Sequence, residues 1–368
     1  MTLMLPSEDA IVVGEELQKR FGLPYWQFAL TATDANRFSI RLARQITGRP
    51  KILVFNWCYH GTVDETFITL KDGTAEARRG NIGPPVDPPV TTRVVEFNNP
   101  DALESALSHG DVACVLAEPA MTNVGIVLPE PGYHKALREM TRKHGTLLIL
   151  DETHTICAGP GGYTRAEHLE PDLLVFGKPI AGGVPGAAYG FTQEVAQSIV
   201  AKQNLEDCDT GGIGGTLAGN ALSLAAMRAT LEKVLTPEAF TRMILMAERW
   251  TKGVSTAIAD FGLPWNVTPS RLPRRIPVLS ARAEKRDPGP RRDGFRVGTF
   301  HAPLRDESRH PADTLPQHGT DVAGNFQGRH RRAHPGLSRC RQRAGRLASL
   351  RGCDATGGCL AGCSRPPW

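Results

Sequence analysis

Between Tyr25 and about Asp260 the apolar positions alternate between two rhythms. Phe38, Leu42 and Ile46 recur at i, i+4 and i+8. That spacing predicts a helix, with Asp34 as its N-cap and Gly48 as its C-terminal stop. The runs 52–55, 112–117, 146–150 and 173–176 are instead almost continuously apolar and short. They predict strands covered on both faces, as parallel strands are. Residues 131–144 read as a helix stopped by Gly145, and 221–231 as another. Thr236-Pro237-Glu238 combines a hydroxyl cap, a proline in the first turn and an acid, and so predicts a helix start. Strands and helices taken in turn imply an α/β fold with a mostly parallel sheet.

After about Val267 this grammar stops. Residues 268–368 hold 19 Arg, one Lys and 8 acidic residues, a net +12, which leaves −7 for the first 267. The overall basic balance therefore belongs to the tail alone. Arginine almost without lysine, mixed with proline, glycine and alanine, is what an out-of-frame translation of a GC-rich gene produces. The rival expectation is a genuine basic, disordered tail. Nucleic acid is not an expected partner, because no aromatic interleaving or binding motif accompanies the charge. The tail's Cys353, Cys359 and Cys363 lack ordinary zinc-ligand spacing. No apolar run of membrane-spanning length appears, and the first residues do not resemble a secretory signal. Eight cysteines in a chain of 368 residues suggest reduced thiols and a cytoplasmic protein.

Candidate chemistry clusters just after the strand-like runs, where α/β sheets place their ligands. Asp151 follows one run; a carboxylate there can bind a metal, act as a base, pair with a protonated ring nitrogen, or simply cap a helix. Lys178 lies among apolar residues and glycines, where burial would lower its pKa and free the amine to attack a carbonyl carbon. An Asp at one strand end and a Lys at the next is the pairing that pyridoxal phosphate requires. Thr31-Ala32-Thr33 before one helix and Gly214-Gly215-Thr216 before another are candidate phosphate sites, or ordinary caps. Glu118 is either a site residue or a turn carboxylate. Trp26, Phe28 and Trp57 read as core or interface packing, and Cys58 and Cys114 as small buried hydrophobes.

Six segments make the picture specific: RLARQITGRPKIL, CYHG, EPAMTNVG, LLILDETHT, FGKPIAGGVPGAAYG and GTLAGNALSLAA. In this order they resemble class III pyridoxal-phosphate-dependent aminotransferases, most closely those similar to glutamate-1-semialdehyde aminomutase, over about residues 25–267. The resemblance implies a fold type I transferase whose Lys178 forms the Schiff base and Asp151 pairs with the pyridine nitrogen. It places Tyr59 on the ring face with His60 beside it, Thr153 next to Asp151, and Asn123 near the phenolic oxygen. Ala32 and Thr33 would hold the phosphate, and Thr216 would reach the phosphate of a neighbouring subunit in a homodimer with shared active sites. The expected substrates are a small amino donor and a keto or aldehyde acceptor. The expected organisation is an N-terminal segment 1–24, a cofactor-binding large domain 25–250, the start of a small domain 251–267, and the tail.

Four departures bear on function. Thr31-Ala32-Thr33-Asp34-Ala35 stands where the family commonly has Ser-Gly-Thr-Glu-Ala, and Thr153 adds a hydroxyl to an apolar branched position. Thr62-Val63-Asp64 after CYHG differs from the aminomutase pattern and favours intermolecular transfer over the aminomutase reaction. The family's small domain has no counterpart in 268–368. An inactive truncated product is therefore the alternative, and exposed apolar surface with poor solubility is expected.

Overall fold

The computed structural model describes residues 6–202, 212–263 and 267. The expectations for 268–368 lie outside these residues. The strands are β1 Tyr25–Ala29, β2 Lys51–Phe55, β3 Ile68–Lys71, β4 Thr74–Ala77, β5 Thr92–Val95, β6 Val112–Ala117, β7 Leu147–Asp151, β8 Leu173–Phe176 and β9 Ala187–Phe191. The helices are α1 Glu8–Phe21, α2 Ala32–Thr47, α3 Pro88–Thr91, α4 Pro100–Leu107, α5 Tyr133–Lys143, α6 Gly162–Ala166, α7 Gln193–Lys202, α8 Ala221–Lys233 and α9 Pro237–Asp260.

Seven strands form one sheet in the order β1-β9-β8-β7-β6-β2-β5, with β3 and β4 a separate hairpin. Strands β5, β2, β6, β7 and β8 run parallel, and β9 is antiparallel to both β8 and β1. The mostly parallel expectation holds, for the reason that suggested it. Every residue of β6 and β8 is buried, because each sheet face is covered. Along β2, Leu53 and Phe55 join the cluster that includes α1, α4, α5 and α8, while Ile52 and Val54 join the one that includes α2 and α7. A three-layer sandwich follows from that alternation.

Helix α1, within the expected N-terminal segment, is part of this core through Val13, Leu17 and Phe21. Arg20 ties it to the end of α8, donating to the carbonyls of Leu235 at 2.7 Å and Leu231 at 2.8 Å. A guanidinium is well placed there against the negative end of a helix dipole. Helix α9 starts at the Thr236 cap, as its sequence predicts, and continues unbroken across residue 250.

One expectation changes. The cap of α2 is Thr31, not Asp34: Thr31 Oγ1 accepts from the Asp34 N–H and donates to Asp34 Oδ2 at 2.8 Å. Threonine and aspartate three residues apart compete for the cap, and Thr31 is the one with extended backbone. Trp26 and Phe28 pack against the core as expected, and Trp57 is about half exposed with Arg78 over its ring.

Candidate active site

Because β1, β2, β6, β7 and β8 run in one direction, the segments leaving them emerge at the same edge of the sheet. There they surround a cleft of about 300 Å³. From β1 and the start of α2 come Ala32 and Thr33, and after β2 come Tyr59 and His60. Glu118 follows β6, Asp151 ends β7 with Thr153 and His154 next, and Lys178 follows β8. Placement at carboxyl strand ends is the general rule for open α/β sheets.

Asp151 is buried and held from three sides. Its Oδ2 accepts from Asn36 Nδ2 at 2.8 Å and lies 2.9 Å from His60 Nδ1, and its Oδ1 accepts from the Thr153 N–H at 3.0 Å. Burial alone would push the Asp151 pKa up, but His60, Thr153 and Asn36 outweigh it and leave it below the ordinary carboxylate value. For His60, burial opposes the charge, while Cys58 and Asp151 favour it and raise its pKa to about 10. The pair is thus a buried, hydrogen-bonded ion pair, with Asp151 fixed in orientation.

Lys178 opens a short 3-10 turn, Lys178–Ala181, and sits at φ +44°. A non-glycine residue in that left-handed region stores strain, and such outliers gather at functional sites. Burial lowers the Lys178 pKa, with Asp151 and Glu118 pulling the other way. The result is an amine more often neutral than an exposed lysine.

The first turn of α2 faces the same cleft. Ala32 occupies ordinary negative-φ backbone inside the helix, so alanine replaces glycine there without strain. Thr33 Oγ1 accepts the Thr62 N–H at 3.1 Å, drawing the Tyr59–Gly61 loop onto the helix. Gly61 permits this approach: a Cβ there would meet Thr33 Oγ1 at 2.0 Å.

Of the residues expected from sequence, Ala32, Thr33, Tyr59, His60, Asp151, Thr153 and Lys178 line one cleft. Asn123 and Thr216 are exposed and do not line it. Asn123 Nδ2 stands 3.4 Å from both oxygens of Glu118. Glu118 itself proves to be both things expected of it: it borders the cleft and accepts from the Tyr59 and Thr122 N–H groups. Asn36 and His154 were not anticipated. Helical periodicity places Asn36 one turn below Ala32 on the same face, a signal available in the sequence. Glu152 turns away from the cleft and accepts from the N–H groups of Tyr163 and Thr164 at 2.7 and 2.6 Å, a purely structural role. Among the described residues no group of three or more metal-ligating side chains occurs.

Comparison with known proteins agrees with this geometry. The family model for aminotransferase class-III matches residues 1–254. A glutamate-1-semialdehyde 2,1-aminomutase from Desulfosudis oleivorans is 36% identical over 238 residues, 64% of this chain and 54% of that protein. Among solved structures, a variant of a glutamate-1-semialdehyde-aminomutase from Pseudomonas aeruginosa PAO1, in complex with PMP, matches with TM-score 0.70 and 50% identity. It covers 74% of this chain and 64% of its own. An omega-transaminase from Sphaerobacter thermophilus matches with TM-score 0.64 and 30% identity, over 72% of this chain and 62% of its own. The chain spans between 54% and 64% of the length of these relatives. In fold, strand-end chemistry and sequence alike, the chain belongs to the class III aminotransferase family.

Proposed function

We propose that the cleft holds pyridoxal 5'-phosphate and moves an amino group between a small amino donor and a keto or aldehyde acceptor. The observation that carries this reading is the partly desolvated Lys178 facing a clamped, ionised Asp151 at adjacent strand ends. The residues present fit the cofactor. Thr153 Oγ1 is buried without a hydrogen-bond partner beside Asp151, and the α2 N-terminus turns its first N–H groups into the same cleft. When bound, pyridoxal phosphate supplies a carbonyl carbon for amines and an electron sink for bonds at the substrate α-carbon.

The chain's own groups then have distinct tasks. Ala32 N–H and the Thr33 hydroxyl would hold the phosphate. Asp151 would keep a proton on the ring nitrogen, which its negative charge stabilises. His60 and Asn36 hold that carboxylate in place. Tyr59, half exposed at the cleft rim, would cover the ring face and exclude water. Lys178, as a neutral amine, would attach the cofactor and later carry a proton to and from the substrate α-carbon. A homodimer in the cytoplasm is part of this proposal; the exposed Thr216, outside its own cleft, is available to a neighbouring subunit.

The test is cofactor titration of the purified chain, followed by visible absorption and borohydride fixation, beside Lys178→Ala. Fixation to a peptide containing Lys178 is expected in the parent and no fixation in the variant. Folded parent protein that takes up no cofactor would sink the proposal and leave an inactive product of the gene. The 50% identity to an aminomutase-named protein makes intramolecular transfer the second reading. Turnover that requires an added keto acid favours the transaminase, and turnover without one favours the aminomutase.

A further inference from the structure

A second cleft, of about 730 Å³, is lined by α5, by β7 and by the segment that follows α6. No residue lines both it and the cleft that contains Lys178. Leu148 and Leu150 face it from the sheet, with Leu128 and Leu169 beside them. Tyr163 and His134 meet edge to face on its wall, ring centroids 5.9 Å apart. Burial pushes the His134 pKa down to about 4, with the Pro119 carbonyl opposing it, so this ring adds no charge at neutral pH. Small-molecule sites occupy roughly 300–1,000 Å³ and combine an apolar wall with a few polar groups. This cleft does both.

Its charges do not balance. Arg138 donates to both oxygens of Asp172, at 2.7 and 2.8 Å. Arg142 pairs with Glu170 at 2.7 Å, and Lys135 with Glu139 at 3.9 Å. Each arginine and lysine on the wall is thus already matched by a carboxylate. Glu130 and Glu167 line the cleft too, and among the described residues neither takes part in an ion pair. Glu130 is exposed and solvated, but Glu167 is half-buried, and its Oε1 is buried without a hydrogen-bond partner. Burial pushes the Glu167 pKa up, with His168 opposing it. A carboxylate that has left water without meeting a cation is destabilised, and a cation entering the cleft relieves it.

We propose that this cleft binds a small organic cation, an ammonium or amidinium group carried on an apolar body, at a site separate from the amino-transfer centre. An anion would meet guanidinium groups that are already paired and carboxylates that are not. A metal ion would lack its cage, because among the described residues no three His, Cys, Asp or Glu side chains come together as ligands. An organic cation satisfies both halves of the wall. Its charge lies against Glu167, and its body covers the leucines.

Benzamidine is the probe, since its amidinium offers a carboxylate two N–H groups and its phenyl ring suits the leucines. Benzamide is the uncharged control of the same shape. The full chain is titrated calorimetrically at about pH 8, where an ordinary imidazole is uncharged. Saturable binding of benzamidine is expected, with benzamide at least about 10-fold weaker, the order that a charge-assisted hydrogen bond contributes. Glu167→Gln is expected to lower benzamidine affinity by about 10-fold and to leave benzamide unchanged. Glu118→Gln, in the other cleft, should leave both unchanged. Equal affinity for the two probes, no saturable binding of benzamidine, or unchanged affinity in Glu167→Gln overturns the site. A loss in Glu118→Gln with none in Glu167→Gln puts the probe beside Lys178 and overturns it as well. Should Glu167→Gln not fold, methyl-labelled leucine in the parent decides. Contacts from the probe ring to the methyl groups of Leu128 and Leu169, assigned through Leu128→Ile and Leu169→Ile, are expected, and their absence overturns the site. Cofactor uptake enters none of these readings, so failure of the amino-transfer reading leaves the test intact.

Discussion

Asp151 and His60 are both buried, yet both are held in their charged forms: Cys58 and Asp151 raise the His60 pKa, and His60, Thr153 and Asn36 lower that of Asp151. Such a pair is weak evidence for stability in general, because desolvation offsets much of the attraction, but breaking it leaves one charge stranded. Its pH dependence has a definite sign. Asp151 has a depressed pKa, so its contribution is complete above the ordinary value near about 4 and is lost as pH falls below it. His60 has a raised pKa, so its contribution is complete below about 6.5. That contribution drains away as pH rises towards the folded value of about 10. The gap in thermal midpoint between the parent and Asp151→Asn should therefore be widest between about pH 4.5 and 6.5. It should narrow steadily towards alkaline pH. A gap that widens above neutrality would mean that His60 is not the charged partner. At this scale Asp151 and Lys178 were legible in the sequence, since each follows an apolar run. Periodicity placed Asn36 on the Ala32 face of its helix, but the bonds that matter, Asn36 to Asp151 and His154 to Thr122, join residues 115 and 32 apart along the chain and were not legible there.

Helix α2 is the element on which the site is hung. Its N-terminus faces the cleft, and Asn36 on its next turn supports Asp151. Thr31→Ala removes the side-chain cap and should cost about 1 kcal/mol. That corresponds to a fall in thermal midpoint of roughly 2–4 °C for a body of this size. Phosphate-bearing ligands should also bind more weakly, because the first-turn N–H groups would no longer be held in register. A calorimetric scan and a cofactor titration measure the two effects; loss of stability with unchanged affinity would remove α2 from the phosphate site. The existence of α2 was legible from Phe38, Leu42 and Ile46, whereas its first residue was not. Thr31 and Asp34 satisfy the same local rule, and the backbone path out of β1 chooses between them.

Over the whole molecule, the apolar surface is unevenly covered. Helix α9 buries only Phe240, while Met243, Met246 and Trp250 recur along one face and remain exposed. Leu245 and Phe261 add to that surface. A patch of this kind marks an interface or an aggregation risk. The chain is accordingly expected to self-associate with rising concentration, and Met246→Lys with Trp250→Glu to reduce that association without lowering the thermal midpoint. Sedimentation at several concentrations measures it; unchanged association in the double variant would acquit the α9 face.

The sequence by itself determined the α/β class, the strands buried on both faces, the cap of α9 and the identity of the two central groups. These depend on local spacing and on which residues end an apolar run, which neighbours along the chain settle. Only the tertiary structure decided that five segments meet at one edge, that Asp151 stays ionised, that Glu152 turns to the scaffold and that Thr122 joins Glu118 to His154. Those outcomes depend on burial and on hydrogen bonds between distant segments. Burial and hydrogen bonding set charge state and orientation only once the sheet has brought the segments together.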